Sequence, residues 1–303
     1  MSKSFDELLS KVRECRRKKV AVSVAQDEPV LEAVREAKER GIADAILVGD
    51  EVKIKEIAAS IGMDLSQYEI VNEPDVKKAA IKAVELVHDR KADMLMKGLV
   101  DTATFLRSVL NKEVGLRTGK VMSHVAVFDI EGIDRLVFLT DVAFNTYPEL
   151  KDKVQIINNS VQVARACGID CPKVAPVCAV EVVNPNMPAT IDAAILSQMN
   201  NRGQIKGCIV DGPLSLDIAL SEEAAKHKGL KNSEVAGKAD IILLPNIETG
   251  NVMYKTLTYT SKCKNGGLLV GTSAPVILTS RADSFETKVN SIALAAMVAE
   301  TIK

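Results

Sequence analysis

The amino-acid sequence predicts an α/β fold of three-layer α/β/α architecture, with mainly parallel sheets covered by helices. Three observations carry this expectation. Short β-branched runs alternate with amphipathic stretches of helical length along the whole chain. Strands separated by helices must be joined by crossover connections, which makes them parallel. The apolar content is supplied by Ala, Val, Ile and Leu, with aromatics at 3% and no Trp, a composition suited to strands buried on both faces.

In order, residues 4–18 and 28–41 read as helices around the β-branched run 20–24, and 44–49 is a strand ending in a glycine turn. A helix at 51–61, a strand at 68–71 and a helix at 74–90 follow, the last with Pro74 near its first turn. Residues 92–98 form a second strand-then-glycine unit, followed by a helix at 101–111. Two successive apolar runs, 125–130 and 136–140, flank a turn-like Glu131–Asp134 segment and predict an antiparallel hairpin. The alternation then resumes with helices at 149–168, 188–201, 217–228, 249–261 and 284–302, and strands at 174–180, 207–211, 240–244 and 267–271. No Pro/Ser-rich linker marks a boundary, so the hairpin is the natural place for one sheet to end.

The 303 residues are 47% hydrophobic, enough for a sizeable core without metals or disulfides. Thirty-nine basic against forty acidic residues leave no field that would attract nucleic acid or a membrane surface. The charged N-terminus lacks the apolar segment of a signal peptide, and the apolar runs are too short to span a bilayer, so a cytoplasmic protein is expected. Of the six cysteines, Cys167 and Cys171 have the wrong spacing for a zinc or dithiol pair, and reduced core thiols are expected with no metal site.

Nucleotide signatures are missing. No G-x-G-x-x-G follows a strand, and the run Gly115 to Lys120 is one residue short of a phosphate loop, with Val121 where Ser or Thr would be needed. What remains is a set of predicted strand ends that carry polar groups, where open α/β sheets bind ligands. These are Met96-Lys97-Gly98, Thr140-Asp141, Asp211-Gly212-Pro213, Pro245 to Asn251, and Thr272 to Arg281. Asn246, Thr249 or Asn251 can cap the helix that follows and present its N-terminus to an anion, with Gly250 beside them and Tyr254 and Lys255 one turn inside. Ser280-Arg281 lies just before the last helix, which Asp283 or Ser284 would cap; an Arg there is poorly placed for stability unless an anion sits beside it.

These segments, taken in order, resemble the phosphate acetyltransferase/phosphate butyryltransferase family. The matching stretches are 92–98, Phe105-Leu106-Arg107, 138–141, 211–217, 235–240, 245–251, Tyr254-Lys255 and Ser280-Arg281, spread over essentially the whole chain. Met96-Lys97-Gly98 and the run 121–128 resemble the butyryl branch. The resemblance implies two α/β/α domains with an active-site cleft between them: a discontinuous domain, 1–138 plus 268–303, and an inserted domain, 139–267. It also implies a homodimer and no permanently bound cofactor, with coenzyme A as a substrate.

The implied reaction is reversible transfer of a butyryl group between coenzyme A and inorganic phosphate, by direct displacement in a ternary complex. Arg281 would hold phosphate and Ser280 would donate to the oxyanion or the leaving thiolate, while Arg107 would contact a coenzyme A phosphate. Lys97, Asn246, Gly250, Asn251, Tyr254 and Lys255 would complete the substrate sites. Where acetyltransferases carry an acid shortly after Ser-Arg, this chain has Thr287, which leaves Asp283, Glu286 and His124 as candidate bases. The alternatives are acetyl preference, a metal-dependent decarboxylating hydroxy-acid dehydrogenase of similar architecture, and a non-catalytic coenzyme A-binding module.

Overall fold

The computed structural model describes residues 2–279 and 283–302. In chain order its elements are α1 (Phe5–Glu14), β1 (Lys18–Ser23), α2 (Glu28–Glu39), β2 (Ala43–Gly49), α3 (Glu51–Ser60), β3 (Glu69–Asn72), α4 (Val76–His88), β4 (Met94–Lys97) and α5 (Thr102–Val109). Then come β5 (Ser123–Ile130), β6 (Val137–Thr140), α6 (Leu150–Ala166), β7 (Lys173–Pro176), α7 (Pro188–Asn201), β8 (Ile209–Val210), α8 (Leu216–Leu220), α9 (Glu222–His227) and β9 (Ile241–Leu243). The chain finishes with α10 (Ile247–Thr260), β10 (Cys263–Val270), β11 (Val276–Ile277) and α11 (Phe285–Thr301).

Contacts divide the chain into two compact units. The terminal unit is Phe5–Lys120 with the stretch from Asn265 onward, and the inserted unit is Val121–Lys264 with residues 2–4. The chain therefore changes unit at 120/121 and 264/265, not at the 138/139 and 267/268 expected from the sequence. The cause is the β5–β6 hairpin. Ala126, Val127 and Phe128 pair with Leu139, Phe138 and Val137, and this pairing keeps both strands in one unit.

The strands of the terminal unit lie in the order β3-β2-β1-β4-β11-β10, parallel except for β10 against β11. From β1 the chain moves outward through β2 and β3, then returns to β4 on the other side of β1. Right-handed crossovers consequently place α2 and α3 on one face and α4 on the other. The packing agrees: α2 meets α3 and α11, whereas α4 meets α5. Helix α4 buries the face its sequence predicts, Ala79, Ala80, Ala83, Val84 and Val87 at helical spacing, and Asp75 caps it by accepting from the Lys78 amide. Helix α11 is buried almost all round, so it is a core helix and not a surface one.

In the inserted unit the order is β5-β6-β9-β7-β8, with only β5 antiparallel. Its core joins Phe128, Val137 and Leu139 to Ile218, Ile242 and Leu244, all essentially solvent-free. The single helix expected at 217–228 is broken into α8 and α9 because the Ser221 side chain caps the second one, accepting from the Ala224 amide. Among the described residues no helix is long and apolar enough to cross a membrane.

Candidate active site

In the terminal unit, the connections from β1 and β4 leave in opposite directions, and the carboxyl ends of these adjacent strands open a crevice. A cavity of about 200 Å3 lies there, lined by Asp27, Lys97, Gly98, Thr279 and Lys288. Lys97 is 7% exposed and Lys288 is 2% exposed, so two buried ammonium groups share one cavity. Lys97 ends β4, with its Nζ 3.4 Å from the Gly98 carbonyl. Lys288 sits in the first turn of α11 and donates to the Asp283 carbonyl at 2.6 Å. Burial lowers its pKa, opposed by the charges of Asp283 and Asp27.

Close strand packing builds this crevice. The Gly98 and Leu99 amides donate to the Ser23 and Val24 carbonyls, each at 2.8 Å. A Cβ on Gly98 would lie 2.3 Å from the Val24 oxygen, so only glycine fits. Val24 itself has φ of 56°, left-handed for a β-branched residue and therefore strained. The turn after β1 thereby leads into Asp27 and the start of α2.

Ser280 and Arg281 lie outside the described residues. Thr279, which precedes them, lines the cavity, and Asp283, which follows, is the acceptor of Lys288. The cap of α11 is Ser284, accepting from the Thr287 amide at 3.1 Å, so Asp283 has no capping duty. Thr287, at the position of the expected acid, is buried and donates to Asn265 Oδ1 at 2.6 Å; it has become a packing residue. Glu286 is exposed and pairs with Arg40 at 3.1 Å. Arg107 is exposed on α5, donates to Thr104 Oγ1 at 2.9 Å, and is not part of the cavity lining.

The inserted unit gathers a second set. Asn246 is the cap of α10, accepting from both the amide and the hydroxyl of Thr249 at 2.9 Å, which decides between the three candidates. Gly250 packs on the end of β6: a Cβ there would meet the Asp141 carbonyl at 2.2 Å. Asn251 Nδ2 donates to the Val142 carbonyl at 3.3 Å. The Asp141 carboxylate accepts from the amides of Ala143, Phe144 and Asn145 and organises that turn. Asp211 likewise accepts from the Ser233 hydroxyl. Tyr254 meets Phe128 edge-on with ring centroids 5.6 Å apart, and the Lys255 ammonium lies 5.7 Å from the Tyr254 ring. His124 is buried on β5, where its carbonyl accepts from Thr140 Oγ1 at 3.1 Å.

The family model for phosphate acetyl/butaryl transferase matches residues 4–79 and 73–296. The chain belongs to the phosphate acetyl/butaryl transferase family. It is 76% identical over 299 residues to the phosphate butyryltransferase of Clostridium acetobutylicum, covering 99% of each chain. It is 74% identical over 299 residues to that of Clostridium beijerinckii, again covering 99% of each. Among solved structures it resembles the branched-chain phosphotransacylase of Enterococcus faecalis V583, with a TM-score of 0.83 and 33% identity, over 93% of this chain and 99% of that one.

The transferase fold adds one residue that sequence reasoning missed. Lys288 reads as an ordinary solvent-facing lysine of an amphipathic helix, yet it is 2% exposed and shares its cavity with Pro29 and Val30 of α2. The one sequence signal was positional, since a lysine in a first helical turn opposes the helix dipole. Burial also pushes the thiols of Cys178 and Cys208 up to about 11, which keeps them protonated and poor nucleophiles near neutrality.

Proposed function

We propose that the chain is a phosphate butyryltransferase that moves a butyryl group reversibly between coenzyme A and inorganic phosphate. The observation that carries this reading is the 76% identity to a phosphate butyryltransferase along 99% of both chains. The geometry supports it with a cavity lined by two buried lysines at the carboxyl ends of parallel strands, where an anion is needed. In the reaction a phosphate oxygen attacks the thioester carbonyl, the C–S bond breaks, and its electron pair leaves with sulfur. The proton of the phosphate monohydrogen dianion ends on that sulfur, so the products are acyl phosphate and free thiol.

Within this scheme Arg281 holds the phosphate and the developing oxyanion, and Ser280 donates a hydrogen bond to the oxyanion or thiolate. Arg107 contacts a coenzyme A phosphate, and the α10 residues Asn246, Gly250, Asn251, Tyr254 and Lys255 line the remaining substrate surface. Coenzyme A is a substrate and no cofactor is held permanently. The reading also takes the protein to be a cytoplasmic homodimer, which a mass from light scattering would check.

Thiol release from a series of acyl-CoAs with phosphate tests the function. Butyryl-CoA should give the highest kcat/KM, with each methylene removed costing about 1–3 kcal/mol in an apolar pocket. An acetyl-CoA optimum would make it a phosphate acetyltransferase. Initial-rate lines should intersect, as for a ternary complex; parallel lines would mean an acyl-enzyme.

Asp283, released from capping by Ser284, is the residue we assign to carry the thiol proton. Asp283→Asn should lower kcat about 100-fold with KM little changed. The same loss in His124→Gln, with Asp283→Asn active, would transfer the role to His124.

A further inference from the structure

We propose that Lys288, together with Lys97, forms the seat of the transferred phosphate, as inorganic phosphate in one direction and as the phosphoryl end of the acyl phosphate in the other. The inference rests on the transferase reading and adds a specific ligand for the anion. Lys288 is the best-buried ionisable group of the cavity, at 2% exposure. Its place is unfavourable for stability on two counts: an ammonium is withdrawn from water, and it stands at the positive end of α11. Residues held at such a cost mark a site that needs them. The cavity of about 200 Å3 is several times the roughly 30 Å3 of one water, room for a tetrahedral oxyanion beside the two lysines.

The charged groups facing Lys288 are Asp27 from the start of α2, Asp283 from the segment before α11, and Lys97 from the end of β4. Glu286, on the same helix, is engaged by Arg40. The two carboxylates keep Lys288 cationic against desolvation, and a doubly charged anion adds what they leave uncompensated.

The pH dependence has a definite sign. The Lys288 pKa lies below that of an exposed lysine, so on raising the pH the cation and its hold on phosphate are lost before the usual lysine range. The penalty that burial imposes on folding is fully present below the folded pKa and fades as pH rises toward the unfolded value.

The test compares wild type with Lys288→Met and Lys288→Arg, using inorganic phosphate as the probe. Lys288→Met should raise KM for phosphate at least tenfold while KM for butyryl-CoA stays within twofold. It should also abolish the thermal stabilisation that phosphate gives the wild type. Lys288→Arg should recover most of the phosphate affinity and move the alkaline fall in phosphate affinity to higher pH. A KM for phosphate within twofold of wild type in Lys288→Met overturns the proposal, as does an equal rise in both KM values, which would make Lys288 a mere staple for Asp283. If Lys288→Met does not fold, Lys288→Arg decides: an unshifted alkaline limb overturns the proposal. A wild type that binds phosphate but releases no thiol sinks the transferase reading; loss of that binding in Lys288→Met would still support the seat.

Discussion

Arg281→Ala is expected to lower kcat by about three orders of magnitude without unfolding the protein. The attack of phosphate on a thioester concentrates negative charge on the carbonyl oxygen while a dianion is brought toward it. A group that stabilises that charge more in the transition state than in the ground state acts directly on kcat. Removal of one such donor from a preorganised site typically costs 100- to 1,000-fold, and loss of the guanidinium also removes a bidentate hold on phosphate. Arg281→Lys should recover only part of the rate, because an ammonium keeps the charge and loses the planar fork. Circular dichroism and a melting curve matching wild type would show that the loss is chemical. A kcat within tenfold of wild type in Arg281→Ala would remove this residue from the reacting centre, and with it the role given to Ser280.

Much of the fold was legible because local chemistry and global architecture agree along this chain. The strand-then-glycine endings at Gly49 and Gly98, the Asp caps and the alternation of periods all point the same way. The segment from Pro245 to Asn251 was legible as a helix start for the same reason, since Asn and Thr at a cap carry their own hydrogen-bonding logic. The misses share another cause, dependence on distant partners. β11 is two residues long, and no periodicity can be read from Val276 and Ile277; it exists because β4 and β10 lie on either side of it. Lys288 is buried in a cavity it shares with Pro29 and Val30 of α2, some 260 positions earlier in the chain. The break at Ser221 and the change of unit at 120/121 likewise follow from a side-chain cap and a strand pairing that composition does not record.

The same dependence on a distant backbone makes Gly98 the most sensitive position of the described crevice. The Cβ of an alanine would lie 2.3 Å from the Val24 oxygen and 2.7 Å from the Ser23 oxygen, both of them backbone atoms that cannot swing aside. Val24 cannot absorb the push by rotating, because at φ 56° it already occupies a region disfavoured for valine. β4 must therefore part from β1, breaking the two 2.8 Å hydrogen bonds from Gly98 and Leu99. Overpacking costs about 1–3 kcal/mol, and two lost hydrogen bonds add about 1 kcal/mol each. Gly98→Ala should then lower Tm by roughly 6–20 °C, at about 2–4 °C per kcal/mol for a unit of this size. Because Lys97 is the adjacent residue, turnover should fall further than stability alone explains, with KM for phosphate rising most. Gly62→Ala is the control: Gly62 has the left-handed φ of 68°, which Gly98 does not, and nothing lies within 4 Å of the new Cβ, so it should cost only about 1–2 kcal/mol and leave KM unchanged. A Tm shift for Gly98→Ala no larger than that for Gly62→Ala, with KM for phosphate unchanged, would show that the contact between β4 and β1 does not set the requirement for glycine at 98.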